Sequence, residues 1–402
     1  MNEKQAFAAI RNAIRLENLS RDLADKVTPA LALIFKSVRE LLRSLPAGEV
    51  ERRIRYQQFR LQLALMFSGP NDAFNQELKR GLEGEVLRQV QWAQDYIKIA
   101  ERSPSARAIA AVPRGGVSLS IPGVSGSPLA NPVQFTRTQL VAITDDVQVL
   151  GKRLEVIFKN DPIESPWIKD NINQIDRVVK KGFLLGESNE EIARQMPGVG
   201  RQAVVRNRAI ARTAVMDMSQ RAHEAFWDAQ DEEIIQRWTF DATLDFRVCM
   251  QCAPWDGKEV DDRKKLPKVP VHPNCRCRVL PVTETELELR KRNKSLTQVG
   301  ERSYIEIAKE APSTGRVYKQ KVKVRGKKYY KVARNAQPEN GRAMTMAGFL
   351  ARANNETRAA VMGVENAKRF ADMIKGTGGS KKILSPEEAL REIVRNPYRR
   401  RK

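Results

Sequence analysis

Apolar residues recur at steps of three and four through most of the first 230 residues, the spacing that draws one stripe down a helix. In the first run the stripe passes through Leu23, Leu31 and Val38, so it predicts a core-facing helix. Pro29 is expected to bend that helix or to mark its true start. The helices predicted in this way cover residues 19–45, 56–67, 74–101, 136–159, 167–186, 190–196 and 202–230.

The helical pattern is interrupted once by a loop and replaced later by strands. Residues 103–135 are rich in proline, glycine and serine, which predicts a long loop or linker. After residue 233 the period shortens to two, and Trp238 and Phe240 alternate with polar residues as in a short strand. Residues 279–282 predict its partner strand. This small β module has too few residues for a core of its own, so we expect it to pack on the preceding helices.

All four cysteines lie in this β module, in a layout typical of a metal site. Cys249 and Cys252 form a C-x2-C pair, and His272, Cys275 and Cys277 form an H-x2-C-x-C group. Zinc takes about four nitrogen or sulfur ligands in a tetrahedron, so five candidates compete for four places. The spacing therefore predicts a zinc knuckle, with either His272 or Cys277 as the fourth ligand.

Two other interpretations of the cysteines stay open. Disulfides would need an oxidising compartment, and the residues from Met1 onward show no apolar segment typical of a secretion signal. Zinc deaminases need an H-x-E motif, metalloproteases an H-E-x-x-H motif, and an HNH-type nuclease a histidine base beside its metal ligands, whereas the chain holds only two histidines. The second, His223, lies inside a predicted helix. A structural zinc is thus favoured, and no enzymatic activity is expected.

The charge of the chain favours a polyanionic partner. Its 71 lysines and arginines against 48 acidic residues give a formal charge of +23, and residues 285–402 alone hold 29 basic and 12 acidic side chains. Nucleic acid is the commonest partner of such a surface, with an anionic membrane surface and simple solubility as alternatives. No run of apolar residues reaches the length of a membrane span.

The charge is densest in residues 316–334, which hold nine basic residues and no acidic one. Valines alternate with these cations, so the segment predicts a cationic hairpin that contacts double-stranded DNA without sequence preference. A solvated, lysine-rich edge strand is the alternative. The predicted nucleic-acid-binding residues are Lys319, Lys321, Lys323, Arg325, Lys327, Lys328 and Lys331.

Further helices are predicted at residues 345–361, 365–374 and 386–395, followed by a basic tail. The fold class is therefore mainly α with a small β and zinc-knuckle module, in the α+β sense. We divide the chain into a helical N-terminal domain (1–102), a linker (103–135), a helical plus zinc-knuckle domain (136–285) and a basic C-terminal region with the hairpin and helices (286–402).

The order of the central motifs resembles a known family. These motifs are Gly186-Glu-Ser-Asn-Glu-Glu-Ile192, Ile210-Ala-Arg-Thr213, Arg237-Trp238 with Asp241, Asp245-Phe-Arg-Val-Cys249-Met-Gln-Cys252, Asp256-Gly257 and Pro270-Val-His-Pro-Asn-Cys275-Arg-Cys277. Over about residues 165–285 they are similar to the Mu-F-like minor head proteins, which act in head morphogenesis of tailed bacteriophages. Residues 345–350 and 361–370 resemble the helical tailpiece of many members. One departure is Ala214, where members often carry an acidic residue.

The resemblance implies a minor capsid protein of a phage head, assembled in the cytoplasm of the host bacterium. It implies a place in the virion, in the head interior or neck, and portal, capsid or scaffold proteins as partners. Contact with packaged DNA, or a role in its ejection, would agree with the basic C-terminal region. The rival interpretations are a zinc-containing DNA-binding protein and a zinc-dependent nuclease.

Overall fold

The computed structural model describes most of the chain outside the linker and the tail. Of the predicted linker, only Phe135 is described, and the basic tail is not described from residue 397 onward. Within the described part, no helix combines the length and the apolar character that a membrane crossing requires. The described residues are 3–46, 48–101, 135–159, 161, 163–230, 235–242, 247–283, 302–309, 316–324, 327–336, 345–377 and 383–396.

The described residues are mainly helical, with a small β part, as predicted. The helices are α1 (Glu3–Arg43), α2 (Glu49–Glu101), α3 (Arg137–Asp145), α4 (Leu154–Ile157), α5 (Pro166–Leu184), α6 (Asn189–Asp228), α7 (Met346–Arg352), α8 (Asn355–Met362), α9 (Val364–Lys375) and α10 (Pro386–Arg395). The strands are β1 (Gln148–Val149), β2 (Lys152–Arg153), β3 (Ile235–Asp241), β4 (Glu259–Val260), β5 (Arg278–Thr283), β6 (Arg302–Ala308), β7 (Arg316–Val324) and β8 (Lys327–Ala336).

The first core is built by long helices. Helix α1 packs along α6 and α2, and the apolar stripe predicted from the sequence is buried between them. Leu23, Leu31 and Val38 are all nearly inaccessible to solvent, which confirms their place on the core face. Burial of this kind contributes about 1.5 to 3 kcal/mol for each large aliphatic side chain. The result is a platform of three long helices, of which α6 also contacts strand β5.

Three prolines lie inside continuous helices rather than at helix boundaries. Helix α1 runs through Pro29, α2 runs through Pro70, and α6 runs through Pro197. The predicted pairs of helices at 56–67 with 74–101, and at 190–196 with 202–230, are therefore each one helix, and that prediction was wrong. Large apolar side chains are buried on both sides of each proline, for example Phe67 and Phe74. Their packing offsets the cost of about 3 kcal/mol for an interior proline.

The helix predicted at 136–159 is also wrong in its second half. Helix α3 ends at Asp145, and a two-stranded hairpin of β1 and β2 follows before the single turn of α4. Leu150 and Gly151 form the hairpin turn with φ values of 55° and 75°. Two consecutive residues with positive φ are typical of the tight turns that join antiparallel strands. Apolar spacing alone does not distinguish this hairpin from a helix.

The β module belongs to a second core, which it shares with the C-terminal helices. Strand β3 pairs with β4 on one side and antiparallel with β5 on the other. Phe240, Cys252 and Cys275 are buried in one cluster with Phe349 and Phe370 of helices α7 and α9. The module therefore packs on the C-terminal helices as well as on the preceding helices, where it was expected. Strand β5 still contacts α6, so the module joins the two cores.

A second sheet confirms the predicted cationic hairpin and adds a strand. Strands β7 and β8 pair antiparallel, and β6 pairs with the other edge of β8. The sheet is attached to α8, because Ile307 N donates to Thr357 Oγ1 at 3.0 Å and Asn354 Nδ2 donates to Ile307 O at 2.9 Å. Asn354 also caps α8, so the single helix predicted at 345–361 is divided at residues 353–354.

Candidate metal centre

The C-x2-C pair lies on a tight turn after strand β3. The amide of Cys252 donates to Cys249 O at 3.2 Å, and Ala253 N donates to the same oxygen at 3.0 Å. A second bond runs from Cys252 N to Cys249 Sγ at 3.3 Å. An amide that points at sulfur stabilises negative charge on it, which suits a thiolate ligand. The turn therefore brings both sulfur atoms to one side of the backbone.

The second ligand group turns sharply just before strand β5. Cys275 N donates to His272 O at 3.1 Å, and Asn274 has a φ of 62°. Asparagine tolerates this left-handed conformation better than most residues. The amide of Asn274 donates to Thr213 Oγ1 of α6 at 3.2 Å. This hydrogen bond attaches the ligand loop to helix α6.

The structure brings together all five predicted ligand residues, in two groups that share Cys252. In the first group, His272 Nε2 lies 2.8 Å from Cys249 Sγ and 3.2 Å from Cys252 Sγ. In the second, Cys252, Cys275 and Cys277 have their sulfur atoms within 4.8 Å of one another. Cys252 is therefore the central member of the cluster. This arrangement could hold a metal ion.

The sulfur spacing fits a metal better than a disulfide. The Sγ atoms of Cys252 and Cys275 lie 3.9 Å apart, and all four cysteines are free. A disulfide bond is about 2.0 Å long. Two thiolates on a tetrahedral zinc with bonds of about 2.3 Å are about 3.8 Å apart. The donor set of sulfurs and one imidazole nitrogen is also the set that zinc prefers.

The crowding of donor atoms shifts their protonation equilibria in opposite directions. The pKa of the Cys249 thiol is lowered to about 4, mainly by a hydrogen bond from Cys252. Burial acts in the opposite direction, and a hydrogen bond with His272 lowers the pKa further. The hydrogen bond with Cys249 raises the pKa of His272 to about 10. Hydrogen bonds from Cys252 and Cys277 lower the pKa of Cys275. The lowered pKa values favour the thiolate form of Cys249 and Cys275, which is the form that binds a metal.

The remaining nitrogen of His272 is oriented by its own backbone. Its Nδ1 lies 2.7 Å from Pro273 O, a distance at which Nδ1–H donates to the carbonyl oxygen. With a metal bound, this hydrogen bond would leave Nε2, which lies near Cys249 and Cys252, as the ligand atom. Metal-binding histidines usually donate their other N–H to a carbonyl or carboxylate in this way. The orientation of His272 therefore fits ligation through Nε2.

His223, the other histidine, has a different environment. It is fully buried on α6, where its Nε2 lies 3.1 Å from Gln89 Oε1 and its ring stacks on Trp92 at 4.5 Å. Burial, and then the positive charge of Arg278, lower its pKa well below the usual range. His223 is therefore a buried core residue of α6. It is not among the residues of the metal cluster.

Asp256 connects the β module to the C-terminal helices. Its side chain is 7% exposed, its Oδ1 accepts from Ala242 N at 2.8 Å, and its Oδ2 accepts from Met346 N at 2.6 Å. Ala242 follows β3, and Met346 is the first residue of α7. One buried carboxylate therefore links the β module to α7, which begins about ninety residues later. The carboxylate lies at the N-terminus of α7, where a negative charge is favourable.

The predicted nucleic-acid residues lie on two neighbouring strands. Lys319, Lys321 and Lys323 belong to β7, and Lys327, Lys328 and Lys331 belong to β8. The register places Lys323 opposite Lys328, and both Lys327 and Lys328 are exposed. Arg325 lies outside the described residues. The strand pair thus concentrates lysines from two segments in one small sheet.

Comparison with known proteins identifies the central segment. Residues 173–280 match the family model described as Phage Mu protein F like protein. This segment is Mu F-like. The match confirms the resemblance to the Mu-F-like head-morphogenesis family and contains every candidate metal ligand. No curated protein and no solved structure gave a significant match.

Two positions in the Mu F-like segment contribute contacts that sequence reasoning missed. Thr213 holds the ligand loop, and Asp256 holds α7, although both stand in motifs that marked the resemblance. Ala214, noted above as a departure from the resemblance, is fully buried. Thr213 is a polar residue immediately before a run of buried residues in α6, and this position could have indicated its structural role. The partner of Asp256 lies far along the chain, and no local pattern indicates it.

Proposed function

We propose that this protein is a minor head protein of a tailed bacteriophage that acts in head morphogenesis at the portal or the inner capsid face. The observation that carries the proposal is the Mu F-like match, which covers the metal cluster and the helix that supports it. Portal, capsid or scaffold proteins are the proposed partners. The proposed location is the virion, after assembly in the cytoplasm of the host.

We propose that the cluster holds one structural zinc ion, bound by Cys249, Cys252, Cys275 and either His272 or Cys277. The donor chemistry and the 3.9 Å sulfur spacing support this assignment. A structural zinc supplies folding energy to a small module that has few apolar residues. Here that energy would hold the β module in the shape that receives α7 and α9.

A structural role is proposed rather than an enzymatic one. Hydrolytic zinc sites keep an open coordination position and need a general base nearby. Three of the four cysteines are buried, and the second histidine is enclosed by Gln89 and Trp92 in the helical core. These observations favour a closed site over a nuclease.

The head assignment predicts a component of the finished particle present in few copies. Particles purified from cells that carry the encoding phage should contain the protein well below the amount of major capsid protein, as measured by quantitative mass spectrometry. A stop codon in its reading frame should lower the yield of DNA-filled heads, and expression of the protein in trans should restore it. Normal yield and infectivity without the protein would contradict the assignment.

We also propose that the lysines of β7 and β8 contact the phosphates of double-stranded DNA. The pairing of β7 with β8, which brings lysines of two segments into one sheet, and the exposure of Lys327 and Lys328 support this proposal. Phosphate contacts release counterions, so affinity should fall by about a thousandfold or more between about 50 and 200 mM salt if six or more phosphates are neutralised. All DNA sequences should bind alike.

A variant with four lysines changed to glutamine is expected to reduce the salt dependence. The slope of log affinity against log salt should become shallower by about 0.9 for every phosphate that the variant no longer neutralises. Four exposed lysines outside this sheet, changed together, provide a control of equal charge. An unchanged slope in the first variant would instead indicate a solvated face. The test residues are Lys321, Lys323, Lys327 and Lys328, and the control residues are Lys36, Lys152, Lys169 and Lys181.

A further inference from the structure

A cleft lies between the middle of α1 and the first half of α6. Its volume is about 420 Å³. Leu31 and Phe35 of α1, both nearly inaccessible to solvent, form its apolar floor, and Val204 lines it from α6. We call this feature the α1–α6 cleft. A space of this size can receive one or two large side chains of another molecule.

The cleft lies where α6 carries the residues least suited to a helix. Pro197, Gly198 and Gly200 all stand inside α6, although proline and glycine are the least favourable residue types in a helix interior. A Cβ atom at Gly200 would lie 3.2 Å from the ring of Phe35, closer than ordinary van der Waals contact. A larger residue there would be crowded against the floor of the cleft. Local departures from sequence rules of this kind are expected at functional sites.

Positive charge surrounds the apolar floor. Lys36 and Arg39 line the cleft from α1, and Arg201 lines it from α6. The two segments that form the cleft, residues 28–39 and 197–204, contain no acidic residue. The cleft therefore combines an apolar floor with a cationic rim.

The acidic residues beyond the two ends of the cleft are already used in ion pairs between the helices. Glu190 pairs with Arg43 at 2.6 Å at one end, and Asp25 pairs with Arg208 at 2.7 Å at the other. Among the residues that the structure describes, the ion pairs do not include the two arginines of the rim. The charge of the rim thus complements an acidic ligand.

We propose that the α1–α6 cleft is a docking site for an acidic, amphipathic segment of a partner protein. An aliphatic or aromatic side chain of that segment packs on Phe35, and its carboxylates pair with Lys36, Arg39 and Arg201. Amphipathic helices bind apolar grooves of other proteins in this way. A protein segment is favoured over a DNA duplex because the phosphates of a duplex carry no apolar group that would cover the floor. The proposal goes beyond the head assignment and does not rest on it.

Fluorescence anisotropy with the full chain tests the docking site. The probe is a labelled helical peptide of about 16 residues, with leucines along one face and glutamates on both flanks of that face. One control peptide has serine in place of every leucine, and the other has glutamine in place of every glutamate. The complete peptide should bind at least about tenfold more tightly than either control, because both kinds of contact are needed. Equal binding by the serine peptide would show a purely electrostatic surface and overturn the proposal.

Substitutions in the chain locate the binding to the cleft. Ala32 is exposed and lines the cleft, so Ala32→Glu should place a carboxylate at the rim and weaken binding about tenfold. Leu33→Glu is the matched control, because Leu33 is 67% exposed outside the lining, and it should change binding less than about twofold. Arg39→Gln and Arg201→Gln should each weaken binding about two- to fivefold, whereas Arg177→Gln on the exposed side of α5 should not.

Thermal melting of each variant shows that the fold is retained. Unchanged peptide binding in both Ala32→Glu and Arg201→Gln would overturn the proposal. Displacement of the probe by a DNA duplex as effectively as by the unlabelled peptide would assign the rim to nucleic acid and also overturn it. Neither result would affect the head assignment, which is tested by the content of purified particles.

Discussion

Cys252→Ala is expected to abolish metal binding and to unfold the β module together with its contacts to α7 and α9. Cys252 is the ligand candidate common to both groups of the cluster, and it is fully buried. Structural zinc contributes on the order of 10 kcal/mol to small modules. Even a local loss of roughly 3 kcal/mol raises the open population more than a hundredfold. Limited proteolysis should then cut within residues 240–283 about a hundredfold faster.

The long helices provide an internal reference for this experiment. The core of α1, α2 and α6 does not include the cysteines, so it should resist the protease as in the unchanged protein. Gln251→Ala is the matched control, because Gln251 lies exposed in the same turn and offers no sulfur. The same assay on His272→Ala and Cys277→Ala identifies the fourth ligand. Protection of the module in Cys252→Ala would contradict a structural metal.

Asp256→Asn is expected to release the C-terminal helices while the metal stays bound. The carboxylate accepts from Ala242 N and Met346 N, and a neutral amide offers one acceptor oxygen instead of two. Hydrogen bonds to a charged group contribute about 1.5 to 3 kcal/mol each, so a cost of about 2 to 4 kcal/mol is expected. Hydrogen exchange should accelerate in α7, α9 and α10, and less in the cysteine turns.

Asp262→Asn is the control for that variant. Asp262 is exposed and accepts from Lys264 N at 2.9 Å, where it caps a short 3-10 turn in the same module. Its substitution changes charge equally but should leave exchange in α7 as it was. Equal exchange in α7 for Asp256→Asn and the unchanged protein would show that the apolar contacts alone hold the C-terminal helices.

The residues that the sequence placed correctly are those specified by nearby neighbours. Ser188 and Glu191 form the capping box that opens α6, a signal that spans only four residues. The spacing of Cys249, Cys252, His272, Cys275 and Cys277 indicated one cluster, because two short ligand groups need only one long-range contact to meet. The alternation of valines and lysines likewise predicted β7 and β8. In each case local geometry largely determines the result.

The errors arose where distant packing decides between local alternatives. Pro29, Pro70 and Pro197 are local helix breakers, yet buried side chains on both sides keep each helix continuous. The partners of the knuckle were missed for the same reason. Met346 and Phe349 lie about ninety residues after Asp256, and amphipathic spacing does not say which surface an apolar face will cover. Arg212 and Arg247, which pair with Glu17, likewise come from distant segments of the chain.

Metal content under reducing conditions decides whether the Mu F-like segment is built around a metal knuckle. Native mass spectrometry of the full chain, combined with elemental analysis, should find about one zinc ion per chain. The ion should be absent after acid and chelator treatment and should return, with the protease resistance of residues 240–283, when zinc is added back. A folded, metal-free chain with that resistance intact would contradict a knuckle held together by zinc.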